Sequence, residues 1–72
     1  MNNHKNIINY FVMCVSEFAI KFKTEEKQAY NYLSQYGGIA FLTEHYEVEH
    51  TLSLDDAVED MALVSRKNGG AL

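Results

Sequence analysis

A long apolar segment near the start of the chain repeats with the period of an α-helix. Between residues 7 and 22, apolar side chains recur at steps of three and four residues, which places them on one face of a helix. The pattern predicts a helix from about Asn6 to Phe22 that faces the protein core. Its core stripe comprises Ile7, Phe11, Cys14, Val15, Phe18 and Phe22, and Ile8, Val12 and Ala19 widen it on one side.

Apolar side chains also occupy the opposite side of this predicted helix. Met13 and Ile20 lie one heptad apart and face away from the core stripe, and Tyr10 lies between them and the core. A small domain that leaves such side chains outside usually covers them with another chain. We therefore predict a partner-binding surface on this outer face, formed by Tyr10, Met13, Glu17 and Ile20.

A second helix follows after a short turn. Thr24 is a suitable N-cap, and Glu25 and Glu26 then stand in the first turn, where the helix dipole favours carboxylates. The helix is expected to end at about Tyr36, because the pair Gly37-Gly38 accepts the left-handed conformation that closes helices. Its predicted apolar stripe comprises Ala29, Tyr32, Leu33 and Tyr36.

The second half of the chain predicts a short helix, a connector and a final helix. The short helix runs from about Ile39 to His45 or Tyr46, and residues 46–52 form its end and a connector to the final helix. Ser53 is a suitable N-cap there, with Asp56 three residues on, as in a capping box. The glycine-rich sequence at 68–70 ends this helix, whose apolar face comprises Leu54, Ala57, Val58, Met61, Ala62 and Val64.

These elements predict an all-α fold, a compact bundle of three longer helices and one short helix. Residues 1–72 are expected to form a single domain with frayed ends at 1–5 and 69–72. A chain of 72 residues buries only about 60% of its unfolded surface on folding, so its monomer is expected to be marginally stable. Cys14 is the single cysteine, so an internal disulfide cannot compensate, whereas oligomerisation can.

The cysteine usage and the polarity of the first segment also bear on location. An unpaired cysteine fits a reducing compartment, so we expect a cytoplasmic protein. Asn9, Ser16 and Glu17 interrupt the apolar segment, which is also shorter than the roughly 20 apolar residues that cross a bilayer. We therefore predict neither a membrane span nor a secretory signal here.

Acidic side chains dominate the second half of the chain. The net charge is −4, and no Lys or Arg stands between Lys27 and Arg66. A surface with this charge repels phosphate backbones, so nucleic acid is not an expected partner. The acidic surface of the final helix is either a solvated face or a docking surface for a basic partner, and it comprises Asp55, Asp56, Glu59 and Asp60.

Two histidines support an alternative interpretation. His45 and His50 stand near Glu44, Glu47 and Glu49, and imidazoles and carboxylates are ligands that suit zinc. The alternative is a homo-oligomeric metal-binding protein or an enzyme based on this cluster. However, the five-residue separation places the two rings on different faces of a continuous helix. We expect His50 instead to hydrogen-bond backbone groups in the connector, and we predict no catalytic residue, metal or cofactor.

Several short motifs carry a family resemblance. They are Tyr36-Gly37-Gly38, Phe41-Leu42, a box from Tyr46 to Thr51 that contains His50, and Val58-Glu59-Asp60. A cysteine near the middle of the first helix, followed by an acidic residue (Cys14 and Glu17 here), also fits. In these motifs the chain resembles a family of small bacterial proteins, the domain of unknown function 3791, over roughly residues 8–65.

The resemblance implies a short stand-alone bacterial protein whose activity is not defined. Family members are associated with neighbouring genes for ADP-ribosyltransferase-like proteins, which implies an antitoxin-like or accessory role. The resemblance singles out Tyr46, His50 and Thr51 as residues of the family box. The chain departs from the family pattern at Glu49, where an aliphatic residue often precedes the histidine, and in a longer connection over residues 52–56.

We therefore predict a non-catalytic protein–protein interaction module. It would present the outer face of the first helix, flanked by acidic surface, to a second protein. The partner is either a second copy of the chain, since isologous dimers are the commonest oligomers, or a separate protein that this chain regulates.

Overall fold

The computed structural model describes the backbone of residues 3–72 and the side chains of residues 6–72. This part of the chain forms α1 (Asn3–Lys21), α2 (Glu26–Gln35), α3 (Gly38–Glu44), α4 (Tyr46–Glu49) and α5 (Leu54–Lys67), without any strand. The predicted all-α fold is confirmed, with α1, α2 and α5 as its longer helices. The connector predicted at 46–52 contains one further helical turn, α4. α1 begins at Asn3, three residues before the predicted start at Asn6, so residues 3–5 are helical where fraying of 1–5 was predicted; residues 1 and 2 lie outside the described residues.

A residue in the left-handed region closes the turn between α1 and α2. Lys23 has a φ of 56°, and the Thr24 N–H donates to the Ala19 carbonyl at 2.9 Å, so the chain reverses directly after α1. The N-cap predicted at Thr24 is wrong by one residue, because Glu25 occupies that position. Gln28 Oε1 accepts from the Glu25 N–H at 3.4 Å and from the Thr24 hydroxyl at 2.7 Å. Thr24 therefore supports the cap from outside the helix.

The glycine pair predicted to end α2 separates it from α3, and each glycine is required for a different reason. Gly37 has a φ of 86°, which residues with a Cβ disfavour. Gly38 is buried, and a Cβ at this position would lie 2.6 Å from Leu33 Cδ2 and 2.9 Å from Ser65 Oγ. Glycine at residue 38 therefore allows α3 to begin in close contact with α2 and α5.

The core lies where α1, α2, α3 and α5 meet. The predicted apolar face of α5 is largely confirmed, and its N-cap is confirmed because Ser53 Oγ accepts from the Asp56 N–H at 3.1 Å. No helix of the described residues is long and apolar enough to cross a membrane. The buried apolar residues are Cys14, Phe18, Ala19, Ala29, Leu33, Leu42, Ala57, Val58, Met61 and Ala62.

Two residues assigned to the core stripe of α1 lie at the surface instead. Ile8 and Val12 each expose more than half of their area, whereas Val15 is half-buried and Ala19 is buried on the same side of the helix. Val12 faces an open space that side chains of α2 and α3 also line, so these helices approach this side of α1 without covering it. A helical wheel gives the direction of a side chain, but not whether a neighbouring helix reaches it.

The C-terminal residues return to the body of the bundle. The Leu72 N–H donates to the Tyr32 hydroxyl oxygen at 3.0 Å, and Arg66 Nε donates to the Leu72 carbonyl at 2.7 Å. Residues 69–72, which the sequence predicts to be frayed, are thus connected to α2 and α5.

Candidate functional site

An open apolar groove lies between α1, α2 and α3. Its volume of about 380 Å³ is within the range of about 300–1,000 Å³ typical of ligand pockets. One carboxylate and one ammonium group also line it, but the other lining side chains are apolar or aromatic. The lining residues are Phe11, Val12, Val15, Tyr30, Ile39, Glu26 and Lys27.

Exposed apolar side chains occur both in the groove, at Val12 and Tyr30, and elsewhere along α1. Ile8, Val12, Met13 and Ile20 of α1 and Tyr30 of α2 each expose more than half of their area. We refer to these five residues as the α1 surface. Monomeric soluble proteins rarely leave a contiguous apolar patch of more than a few hundred Å² uncovered, and large patches often mark interaction sites. The α1 surface is therefore the candidate interaction site of the molecule.

The four residues predicted to bind a partner differ in their accessibility. Met13 and Ile20 belong to the α1 surface, and Ile20 is 71% exposed. Glu17 is half-buried. Tyr10 points toward the bundle, where its ring meets the Tyr46 ring edge-on at a centroid distance of 5.4 Å and its hydroxyl is buried. Tyr10 therefore packs within the bundle and is not available to a partner. Val12, which was not among the four predicted residues, is exposed instead.

The acidic surface of α5 is partly neutralised by a cation from α1. Asp55 and Glu59 are exposed, and Lys21 Nζ lies 3.0 Å from Asp55 Oδ1 and 2.6 Å from Glu59 Oε2. Hydrogen bonds to Glu59 and Asp55 raise the pKa of Lys21. Asp56 is exposed and Asp60 half-buried. The fold thus brings Lys21 to the acidic side chains of α5, although their own segment of the sequence contains no basic residue.

Glu49 on α4 is a buried titratable residue that the sequence reasoning missed. It is 4% exposed, and its Oε1 atom has no hydrogen-bond partner. Burial, followed by the neighbouring Asp60 and then Asp56 carboxyls, raises the pKa of Glu49 from 4.5 to about 7. The family resemblance contained one signal of this burial. Relatives often have an aliphatic residue at the position of Glu49, and an aliphatic position is typical of a protein core.

Tyr10 and Cys14 lie beside this buried carboxyl. Cys14 is fully buried, as predicted, and burial raises the pKa of its thiol, although contact with Tyr10 partly lowers it. Burial also raises the pKa of Tyr10, and the nearby Cys14 and Glu49 raise it further. The Tyr10 hydroxyl has no hydrogen bond of good geometry. The thiol therefore stays protonated and unreactive in the folded state.

The family-box residues stabilise α4 and its exit. The Tyr46 and His50 rings stack at a centroid distance of 4.6 Å and an angle of 7°. His50 Nδ1 lies 2.8 Å from the Tyr46 carbonyl, and since a carbonyl only accepts, this nitrogen carries the proton. The Thr51 hydroxyl donates to the Val48 carbonyl at 2.7 Å. The predicted backbone hydrogen bond of His50 is thus confirmed. Besides these local contacts, the Tyr46 ring packs edge-on against Tyr10, so the box also connects α4 to α1.

The alternative metal site is not assembled in the described part of the chain. These residues contain no group of three His, Cys, Asp or Glu side chains that could hold a metal ion. The His45 ring packs against Phe41 at a centroid distance of 4.9 Å, whereas His50 packs against Tyr46. The two imidazoles therefore belong to different contacts.

Fold and surface together define a small all-α protein with an uncovered apolar helix face. The family model described as a protein of unknown function, DUF3791, matches residues 9–68. Because the match covers most of the chain, the protein belongs to this family. No curated protein and no solved structure matches the chain.

Proposed function

We propose that this chain is a non-catalytic protein–protein interaction module that binds its partner through the α1 surface. The observation that carries the proposal is the exposure of five large apolar side chains, two of which line an open groove. Removal of apolar area from water contributes about 25 cal/mol per Å². Burial of this surface by a partner therefore favours binding without any catalytic or covalent step.

An accessory or antitoxin-like role in the bacterial cytoplasm fits such a module. A protein with this role acts by occupying the surface of another protein, so it needs a binding face and no catalytic residues. The resemblance to short stand-alone proteins encoded near ADP-ribosyltransferase-like proteins supports this role.

The test is the native mass of tagged protein captured gently from its own cells, compared for three versions of the chain. Wild-type protein is expected in a stable complex with a second copy or a different polypeptide. Val12→Glu places a charge at the groove and is expected to abolish that complex. Leu63→Glu is the matched control, because Leu63 lies on α5 and is 51% exposed, compared with 56% for Val12. This variant should keep the complex.

Circular dichroism of each purified variant establishes that its helical content is retained. If Val12→Glu and Leu63→Glu retain the complex equally well, the binding site lies elsewhere on the molecule. Wild-type protein that is captured as a bare monomer would refute the proposal.

A further inference from the structure

The exposed face of α1 carries a row of side chains at four-residue intervals. Ile8, Val12, Ser16 and Ile20 follow one another at this spacing, so they form one continuous ridge along the helix. Three of them are apolar and more than half exposed. The hydroxyl of the fourth, Ser16, donates to Glu26 Oε2 at 2.6 Å. The four ridge residues themselves are uncharged, but the Glu26 carboxylate lies against the middle of the ridge at Ser16.

A ridge of this kind fits a copy of itself. Ridges with four-residue spacing on two helices interdigitate at a crossing angle of about −50°, which is the commonest packing class in globular proteins. Burial of the ridge also brings the Glu26 carboxylate into the contact, because it is bonded to Ser16, so the partner must supply an opposite charge to offset its desolvation. If a two-fold axis passes between Val12 and Ser16, the two helices run in roughly opposite directions. Ile8 of each copy then lies beside Ile20 of the other copy. Both copies then use the same surface, as an isologous dimer requires.

The charges at the groove favour the same partner. Glu26 and Lys27 line the groove next to each other, and among the described side chains neither takes part in a salt bridge. In a two-fold contact each carboxylate is able to face the ammonium of the other copy. A uniformly acidic or uniformly basic partner would instead place a like charge opposite one of the two, which is unfavourable.

The available area is consistent with a stable dimer. The five residues of the α1 surface together expose on the order of 500 Å². A standard interface buries about 800 Å² per partner, so these side chains supply more than half of it. The side chains that line the adjoining groove add to this area, and the acidic side chains of α5 do not line the groove.

We propose that a second copy of this chain covers the α1 surface, with the two α1 ridges packed across a two-fold axis and Glu26 of each copy facing Lys27 of the other. This inference rests on the proposed function, because it names the partner of the same surface.

A charge-swap experiment on purified protein tests the inference. By analytical ultracentrifugation the wild type is expected to dimerise. Glu26→Lys and Lys27→Glu each convert both opposite-charge pairs of the dimer into like-charge pairs, and each is expected to weaken homodimerisation about tenfold. An equimolar mixture of the two variants restores the opposite-charge pairs and should dimerise as tightly as wild type. The difference should shrink at high salt, because exposed charges are screened.

Ridge variants and matched controls complete the experiment. Val12→Glu should abolish dimerisation, whereas Leu63→Glu should preserve it. Thermal unfolding of each variant separates a lost interface from a lost fold, and rescue by mixing shows in addition that both swapped variants are folded.

The remaining outcomes separate this inference from the proposed function. A wild type that is monomeric at about 100 μM, far above any dissociation constant of a stable dimer, overturns the second-copy inference. If the same monomer retains a different cellular polypeptide that Val12→Glu releases, the proposed function stands. A dimer that withstands Val12→Glu, or singly swapped variants that do not recover on mixing, also overturns the inference.

Discussion

Glu49 shows how the fold changes the chemistry of a single side chain. In an exposed position a glutamate is ionised at neutral pH, but here the carboxyl is buried near Asp60, and its pKa rises from 4.5 to about 7. The folded protein therefore binds a proton more tightly than the unfolded chain does. As a result, Glu49 lowers the stability of the fold as the pH rises from about 4.5 to about 7, after which its effect is constant.

Glu49→Gln is expected to stabilise the protein at high pH only. Glutamine has nearly the same shape and no charge, so at pH 8 it removes the cost of a buried carboxylate. The gain in free energy of unfolding should be up to about 3 kcal/mol, since one pKa unit corresponds to 1.36 kcal/mol. At pH 4 the wild-type carboxyl is protonated in both states, so the difference should be small. Urea denaturation at the two pH values measures both.

The control for this prediction is Glu44→Gln, at an exposed position on α3. It should change the free energy of unfolding only slightly at either pH. A Glu49→Gln gain that is equal at pH 4 and pH 8 would show that shape, and not ionisation, is responsible.

Gly38→Ala is expected to destabilise the protein by about 1–2 kcal/mol, the usual range for overpacking of a tight core. The new methyl group would lie 2.6 Å from Leu33 Cδ2 and 2.9 Å from Ser65 Oγ, and both of those residues are fully buried. Alanine has the higher helix propensity, so a simple propensity argument predicts the opposite sign. The denaturation midpoint decides between the two, and a variant as stable as wild type would mean that the neighbours adjust without cost.

The helices differ in how well local sequence determines them. The Ser53 cap, the glycine pair between α2 and α3 and the backbone hydrogen bond of His50 were all predictable, because each depends on groups only a few residues apart. The exposure of Val12 was not, because it depends on how closely α2 and α3 pack against α1. The same distinction applies to α4, a single helical turn whose Tyr46 ring packs against Tyr10 of α1 at a centroid distance of 5.4 Å, a contact between residues distant in the sequence.

Ser53→Ala is expected to cost about 1 kcal/mol, the typical loss for an N-cap hydroxyl. The substitution leaves the Asp56 N–H without the oxygen that accepts from it at 3.1 Å. Ser34→Ala is the matched control, since Ser34 is exposed in the last turn of α2, where it caps no helix start and alanine is neutral or slightly favourable. Denaturation midpoints measure both, and hydrogen exchange in the first turn of α5 should accelerate only in Ser53→Ala. Equal effects of the two substitutions would contradict the assignment of this cap.

At the scale of the whole molecule, the fold class was predictable from the sequence and the assembly of the candidate site was not. The sequence supplied Met13 and Ile20 as exposed residues, but the groove beside Val12 is formed by side chains from three helices. Likewise, Lys21 reaches Asp55 across 34 positions of the chain, and no local pattern encodes that pairing. Contacts between helices depend on packing of the complete core, and sequence periodicity describes each helix alone.

The complete burial of Cys14 makes the sulfur atom a reporter of how often the bundle opens. A thiol reagent reaches this side chain only after α1 separates from its neighbours, so the rate of labelling under native conditions measures the frequency of that opening. Its dependence on denaturant distinguishes a local fluctuation, which exposes little surface, from complete unfolding. Because Cys14 is the sole cysteine of the chain, every labelled molecule records the same event.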